Sequence, residues 1–152
     1  MNISWSYAAC QSRQLGLRIK AAGYKPDIIV AITRGGLTPA CILSHILDCK
    51  KIVSMCLEHY VAPEKTLKEV KKLLLFPFGT VMHKKVLIVD DVCDSGQTLL
   101  YAYRYCRNFR AEEVKTATLH YKPSSLDDGC RPPDFFVNET KGWIKYPWEY
   151  DE

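Results

Sequence analysis

The segment Val86-Leu87-Ile88-Val89-Asp90-Asp91-Val92-Cys93-Asp94-Ser95-Gly96-Gln97-Thr98 puts three carboxylates, two hydroxyls and a glycine directly after an apolar, β-branched run. Such a run suits a strand buried on both faces, which would deliver Asp90 and Asp91 to the edge of a sheet. A helix opening at Gly96 would follow. Its free N–H groups, its dipole and the hydroxyls of Ser95 and Thr98 then form a phosphate cradle, with Gln97 inside the same turn. Gly96 lets the backbone approach the phosphate closely. Tandem carboxylates at that edge can accept hydrogen bonds from a sugar diol or hold a hard cation such as Mg²⁺, with Asp91 the candidate ligand. The segment is neither a Walker loop, since Gly-Lys-Thr is absent, nor a Gly-x-Gly-x-x-Gly dinucleotide fingerprint.

A second strand-like run, Asp27-Ile28-Ile29-Val30-Ala31-Ile32-Thr33, leads into Arg34-Gly35-Gly36. Paired glycines expose backbone N–H groups and Arg34 adds a fixed cation, a combination suited to a diphosphate. The tail, Gly142-Trp143-Ile144-Lys145-Tyr146-Pro147-Trp148-Glu149, carries two tryptophans close together.

The elements needed to position these residues alternate. Residues 6–23 have the helical spacing Ala8, Leu15, Ile19, Ala22, with Gly23 as the stop. Thr38 and Pro39 read as N-cap and first residue of a helix running to Leu47. Residues 51–60 read as a strand, 85–91 as a strand, 96–109 as a helix with the stripe Leu99, Ala102, Cys106 and Phe109, and 113–121 and 134–139 as strands. This alternation predicts an α/β domain, a mainly parallel sheet with right-handed crossovers and helices on both faces, with ligands beyond the carboxyl ends of the strands. Residues 61–83 are polar and carry Pro63, Pro77 and Gly79 with four lysines; they predict a mobile loop or lid, or a short helix through Leu67, Val70, Leu73 and Leu74.

At 152 residues the chain predicts a single domain, 1–152. Its 47% hydrophobic and 25% charged residues exclude disorder for most of its length. No apolar run approaches the roughly 18 residues of a membrane span. The net charge of +4 fits an anionic small molecule as readily as nucleic acid, and no polybasic block favours the latter. The first residues lack a basic region followed by an apolar one, so a cytoplasmic location is expected. None of the seven cysteines forms a Cys-x-x-Cys, and their apolar settings predict reduced, buried thiols.

Residues 86–98 resemble the 13-residue phosphoribosyl-pyrophosphate (PRPP) signature of the type I phosphoribosyltransferases. The variation is Ser95, where threonine is commoner; the hydroxyl is kept. The resemblance implies that Asp90 and Asp91 contact the ribose hydroxyls and that the following loop holds the 5′-phosphate. It further implies that Arg34 and Gly35 belong to a pyrophosphate loop, with a strained or cis peptide expected at Arg34–Gly35. Family members acting on 6-oxopurines carry an aspartate at the position of Asp94, which would lie near purine N7 as general base. The tail resembles the purine hood of xanthine-guanine phosphoribosyltransferases, here spanning about 122–150. On that likeness Trp143 stacks on the base, the Ile144 carbonyl reads position 2, and Lys122 donates to the 6-oxo group.

The implied reaction is PRPP plus guanine, xanthine or hypoxanthine giving the nucleoside 5′-monophosphate and pyrophosphate, with Mg²⁺ as cofactor, in purine salvage. A homo-oligomer, dimer or tetramer, is expected, with no nucleic-acid partner. The alternative is a non-catalytic regulator that keeps the pocket as a PRPP or nucleotide sensor. Asp94, Lys122 and Trp143 argue against it, because a sensor of PRPP alone needs no purine hood. Asp94 also disfavours an adenine or orotate transferase.

Overall fold

The computed structural model describes residues 1–61 and 68–150. In chain order it contains α1 (Trp5–Ala21), β1 (Ile28–Thr33), α2 (Leu37–Ile46), β2 (Ile52–Val61), β3 (Lys68–Leu74), β4 (Lys85–Cys93), α3 (Gln97–Asn108), β5 (Glu113–Tyr121) and β6 (Phe135–Glu139). The strands form one sheet in the order β3-β2-β1-β4-β5-β6. All neighbours are parallel except β2 and β3. The expected α/β class and mainly parallel sheet are therefore what the chain adopts.

Period-two alternation sorts the strand residues onto two helical layers. On one face Ile29, Ala31, Leu87, Val89 and Leu119 take Leu15 and Ile19 of α1 and Ala40 and Leu43 of α2. On the other, Ile28, Val30, Ile32, Val86 and Ile88 take Leu99, Ala102 and Cys106 of α3. Each such aliphatic side chain withdrawn from water contributes on the order of 1.5–3 kcal/mol. The central strands β1 and β4 are thus the most firmly held, and both functional segments hang from their ends. From β1 the chain moves outward to β2 on one side and, later, to β4 on the other. The carboxyl ends of β1 and β4 consequently flank the switch point of the sheet, where open α/β folds bind ligands.

Several sequence expectations need correction. α2 begins at Leu37 with Gly36 at the cap position and no side-chain cap, not at Thr38. The turn closes from Gly36 N–H to the Ile32 carbonyl at 2.8 Å, and Ala40 N–H then bonds the Gly36 carbonyl, so the helix starts earlier. Pro39 still falls in the first turn, where its missing N–H leaves no bond unmade. Ala22 is an exposed C-cap rather than part of the buried stripe. Within the expected loop at 61–83, residues 68–74 form strand β3 instead of a loop or helix, antiparallel to β2 at the sheet edge. The part of that loop at 62–67 lies outside the described residues. All seven cysteines are free, but Cys10 and Cys41 are exposed; only Cys49, Cys93 and Cys106 are buried.

Candidate active site

β4 carries Asp90 and Asp91 past the last residue that pairs with β1, Val89. Beside them the β1 turn is pressed against β4. A methyl at Gly35 would collide with the Asp91 carboxylate, and one at Gly36 with the Val89 carbonyl, so side chains are excluded from both positions. The turn contains a cis peptide at Thr33–Arg34, one bond ahead of the expected Arg34–Gly35, within the five residues closed by the Ile32–Gly36 hydrogen bond.

Arg34, Gly35, Leu37, Thr38, Asp91, Trp148, Glu149 and Tyr150 line an open cleft of about 550 Å³. It holds one guanidinium and two carboxylates, an arrangement able to take a polyanion together with a cation. Burial pushes the Asp91 carboxyl up to about 6, helped by the neighbouring Glu149 charge and opposed by the Trp148 indole and the Val92 N–H. The Trp148 indole N–H is buried, close to Asp91 but outside hydrogen-bond geometry. Asp90 is driven well above the ordinary carboxylate range by burial and by Asp91, and its Oδ1 accepts the Asp91 N–H at 2.9 Å. A cation arriving in the cleft would favour the ionised forms.

After β4 the chain turns through Asp94 and Ser95 into α3. Gly96 stands at the N-cap with φ +81°, a left-handed conformation that suits glycine. Ser95 Oγ accepts the Gln97 N–H at 3.3 Å, and the Gln97 side chain turns away to Asp127 Oδ2 at 3.3 Å. Gln97 therefore offers the turn its backbone, not its amide side chain. The Thr98 hydroxyl is half-buried and has no protein partner among the described residues. The helix start thus presents free donors and a hydroxyl to an anion.

Lys122 follows β5, and its N–H bonds the Cys93 carbonyl at 2.9 Å, which docks it alongside the end of β4. Its ammonium reaches Asp94 Oδ2 at 2.7 Å and lies 5.7 Å from the centroid of the Trp143 ring. Lys122 is 7% exposed and Trp143 76%, so a buried cation sits beneath an open aromatic face. Ile144 is buried, and its carbonyl accepts no backbone hydrogen bond outside the helices and strands among the described residues. Residues 1–3 run beside this tail: Ile3 N–H bonds the Lys145 carbonyl at 3.1 Å and Lys145 N–H the Met1 carbonyl at 2.9 Å.

The structure brings Asp94, Lys122 and Trp143 together, and places Asp91 with Arg34 and Gly35 in the cleft. Trp148, Glu149 and Tyr150, expected only as part of the purine hood, also line that cleft. Their nearness to Trp143 in the chain was the available signal. Tyr146 and His120 were missed as well. Tyr146 donates to the Asp91 carbonyl at 2.9 Å, and His120 Nδ1 lies 2.9 Å from the same hydroxyl.

Comparison with known proteins bears on the family and the fold. The sequence profile described as phosphoribosyl transferase domain matches residues 12–152. A xanthine-guanine phosphoribosyltransferase of Cereibacter sphaeroides is 34% identical over 97% of this chain and 86% of its own. One from Gluconobacter oxydans is 37% identical over 80% of this chain and 67% of its own. The crystal structure of a purine phosphoribosyltransferase from Pyrococcus horikoshii superposes with a TM-score of 0.84 at 31% identity, covering 100% of this chain and 95% of that one.

Proposed function

The chain belongs to the phosphoribosyl transferase domain family, and from that premise we propose that it moves the 5-phosphoribosyl group of PRPP onto a 6-oxopurine, in purine salvage. Guanine, xanthine or hypoxanthine would be the acceptor. The observation that carries the reading is the trio Asp94, Lys122 and Trp143, held together beside the acid pair. A flat base on Trp143 would meet Lys122 at its edge. Lysine is donor-only, so it suits a 6-oxo acceptor and leaves the amino group of adenine unmatched. The same base would meet Asp94 through N7. As N9 attacks the anomeric carbon, the bond to pyrophosphate breaks and Asp94 takes the proton leaving the base. Lys122 is paired with Asp94, so a purine that meets both groups would exchange a lysine–carboxylate contact for contacts of both with one ligand.

In this reading the α3 start, through Ser95, Gly96, Gln97 and Thr98, receives the 5′-phosphate, the Gln97 N–H exchanging its bond to Ser95 Oγ for one to the phosphate. Asp90 and Asp91 hold the ribose diol, and Arg34 with the Gly35 turn receives the pyrophosphate. The donor set also fits Mg²⁺. Among the described residues no cluster of three metal-ligating side chains exists. Asp91 opens onto a cleft large enough for the diphosphate, and Mg²⁺ is commonly held by one or two carboxylates plus substrate phosphates. When bound, the ion would neutralise charge on the leaving diphosphate. The reading places the enzyme in the cytoplasm as a dimer or tetramer. No helix among the described residues is long and apolar enough to cross a membrane.

A PRPP-sensing regulator would have no use for a buried lysine under an exposed tryptophan, so the enzymatic reading is preferred. Initial rates with PRPP, Mg²⁺ and each base in turn test it. Turnover of at least one 6-oxopurine and none of adenine is expected; efficient adenine turnover would overturn the assignment of Lys122.

A further inference from the structure

We propose that Tyr146 is a positioning residue that couples the purine hood to Asp91, so that filling the PRPP subsite tightens the base subsite; this rests on the reading of Asp91 as a PRPP and Mg²⁺ contact. Tyr146 is 2% exposed and sits two residues after Ile144 and three after Trp143. Its hydroxyl donates to the Asp91 carbonyl at 2.9 Å. β4 pairs with β1 only as far as Val89, and its register with β5 passes over Asp91, so this carbonyl takes its bond from a side chain of the hood.

The one hydroxyl hydrogen is committed to Asp91. His120 Nδ1, at 2.9 Å, must therefore be the donor to the Tyr146 oxygen. Burial lowers the pKa of His120, in keeping with a neutral ring protonated at Nδ1. The phenol is thus held at both hydrogen-bonding positions and cannot turn without leaving a buried group unpaired. Its ring stacks on Trp148 at 4.8 Å and 10°, and Trp148 lines the cleft beside Asp91. Trp148 in turn meets the edge of Trp5 at 5.9 Å. A ligand that fixes Asp91 therefore fixes the Asp91 carbonyl, the phenol bonded to it, and the backbone that carries Trp143 and Ile144.

Hydrogen exchange tests the coupling. Backbone amides of residues 143–146 and 148 are followed in the wild-type protein with and without saturating Mg·PRPP and with no purine present. Calorimetry supplies the saturation point. We expect slowing of about tenfold, equivalent to 1.4 kcal/mol and within the usual size of a coupling. Tyr146→Phe keeps the ring and its stacking on Trp148 but removes the hydroxyl. At Mg·PRPP concentrations that saturate this variant, its hood should slow by less than twofold. A purely structural role would lower the melting temperature and leave that ratio at the wild-type value. Wild-type protein that binds Mg·PRPP with unchanged hood exchange overturns the coupling, even if the variant does not fold. A variant that slows as much as wild type overturns it too. Wild-type protein that binds no Mg·PRPP overturns the site reading and the coupling together.

Discussion

Replacing Lys122 by methionine isolates the polar contact that the account assigns to base choice. Lys122 is 7% exposed, and its ammonium lies 2.7 Å from Asp94 and 5.7 Å from the Trp143 ring centroid. Methionine has a similar unbranched length and fits a buried site. It offers no donor, so the 6-oxo group of a bound base loses a charge-assisted hydrogen bond, worth roughly 1.5–3 kcal/mol. That translates to a fall of about 10- to 150-fold in kcat/KM for guanine. Folding should change little. The Asp94 side chain is half exposed, so losing this ion pair forfeits at most about 1 kcal/mol, and removing a buried cation relieves desolvation. The assay is the initial rate at saturating Mg·PRPP with guanine, hypoxanthine, xanthine and adenine, beside a melting curve. All three 6-oxopurines should fall, and their advantage over adenine should shrink. A folded Lys122→Met variant with guanine kcat/KM within threefold of wild type would refute the reasoning.

Asp94→Asn keeps shape and removes the proton acceptor; kcat should fall by about 10²–10⁴, while calorimetric Mg·PRPP affinity stays within threefold. Gly35→Ala places a methyl against the Asp91 carboxylate and should weaken Mg·PRPP binding at least tenfold, measured by titration. Gly96→Ala forces a left-handed alanine against Leu126 and Cys130; the strain alone, roughly 1–2 kcal/mol, should appear as a lower melting temperature. Asp91 holds its proton up to about pH 6 against an ordinary value of 3.8. Its contribution to stability of the ligand-free protein is thus present below 3.8 and lost as pH rises through about 6. On the proposed role of Asp91, Mg·PRPP would bind its carboxylate form, so its affinity should drop as pH falls through 6, and binding near pH 6 should release protons, detectable as heats that depend on buffer ionisation enthalpy.

The central fold was legible because β1 and β4 are buried on both faces and so read as unbroken β-branched runs. β3 was not. Its Lys68-Glu69-Val70-Lys71-Lys72-Leu73-Leu74 is an edge strand, a place where charged residues are common. The charges masked a strand, and the positions of Val70, Leu73 and Leu74 imitated a helix. The two glycine turns proposed to bind anions were legible as turns for a related reason: each follows directly on a strand whose end is fixed by the core. Tyr146 and His120 gave no such signal. Their bonds join residues 55 and 26 apart in the chain, to Asp91 and to one another, and only the sheet order brings them together. The cis bond falls at Thr33–Arg34, one bond ahead of the position expected from Arg34-Gly35-Gly36.

The claim that this fold carries out phosphoribosyl transfer to a 6-oxopurine is tested most directly by one competition. Wild-type protein is given Mg²⁺, limiting PRPP and equimolar guanine and adenine, and the nucleotide products are identified by mass spectrometry together with released pyrophosphate. The account predicts guanosine 5′-monophosphate and pyrophosphate in equal amounts with no adenosine 5′-monophosphate. Adenosine 5′-monophosphate as the main product, or PRPP bound but not consumed with any base, would contradict it.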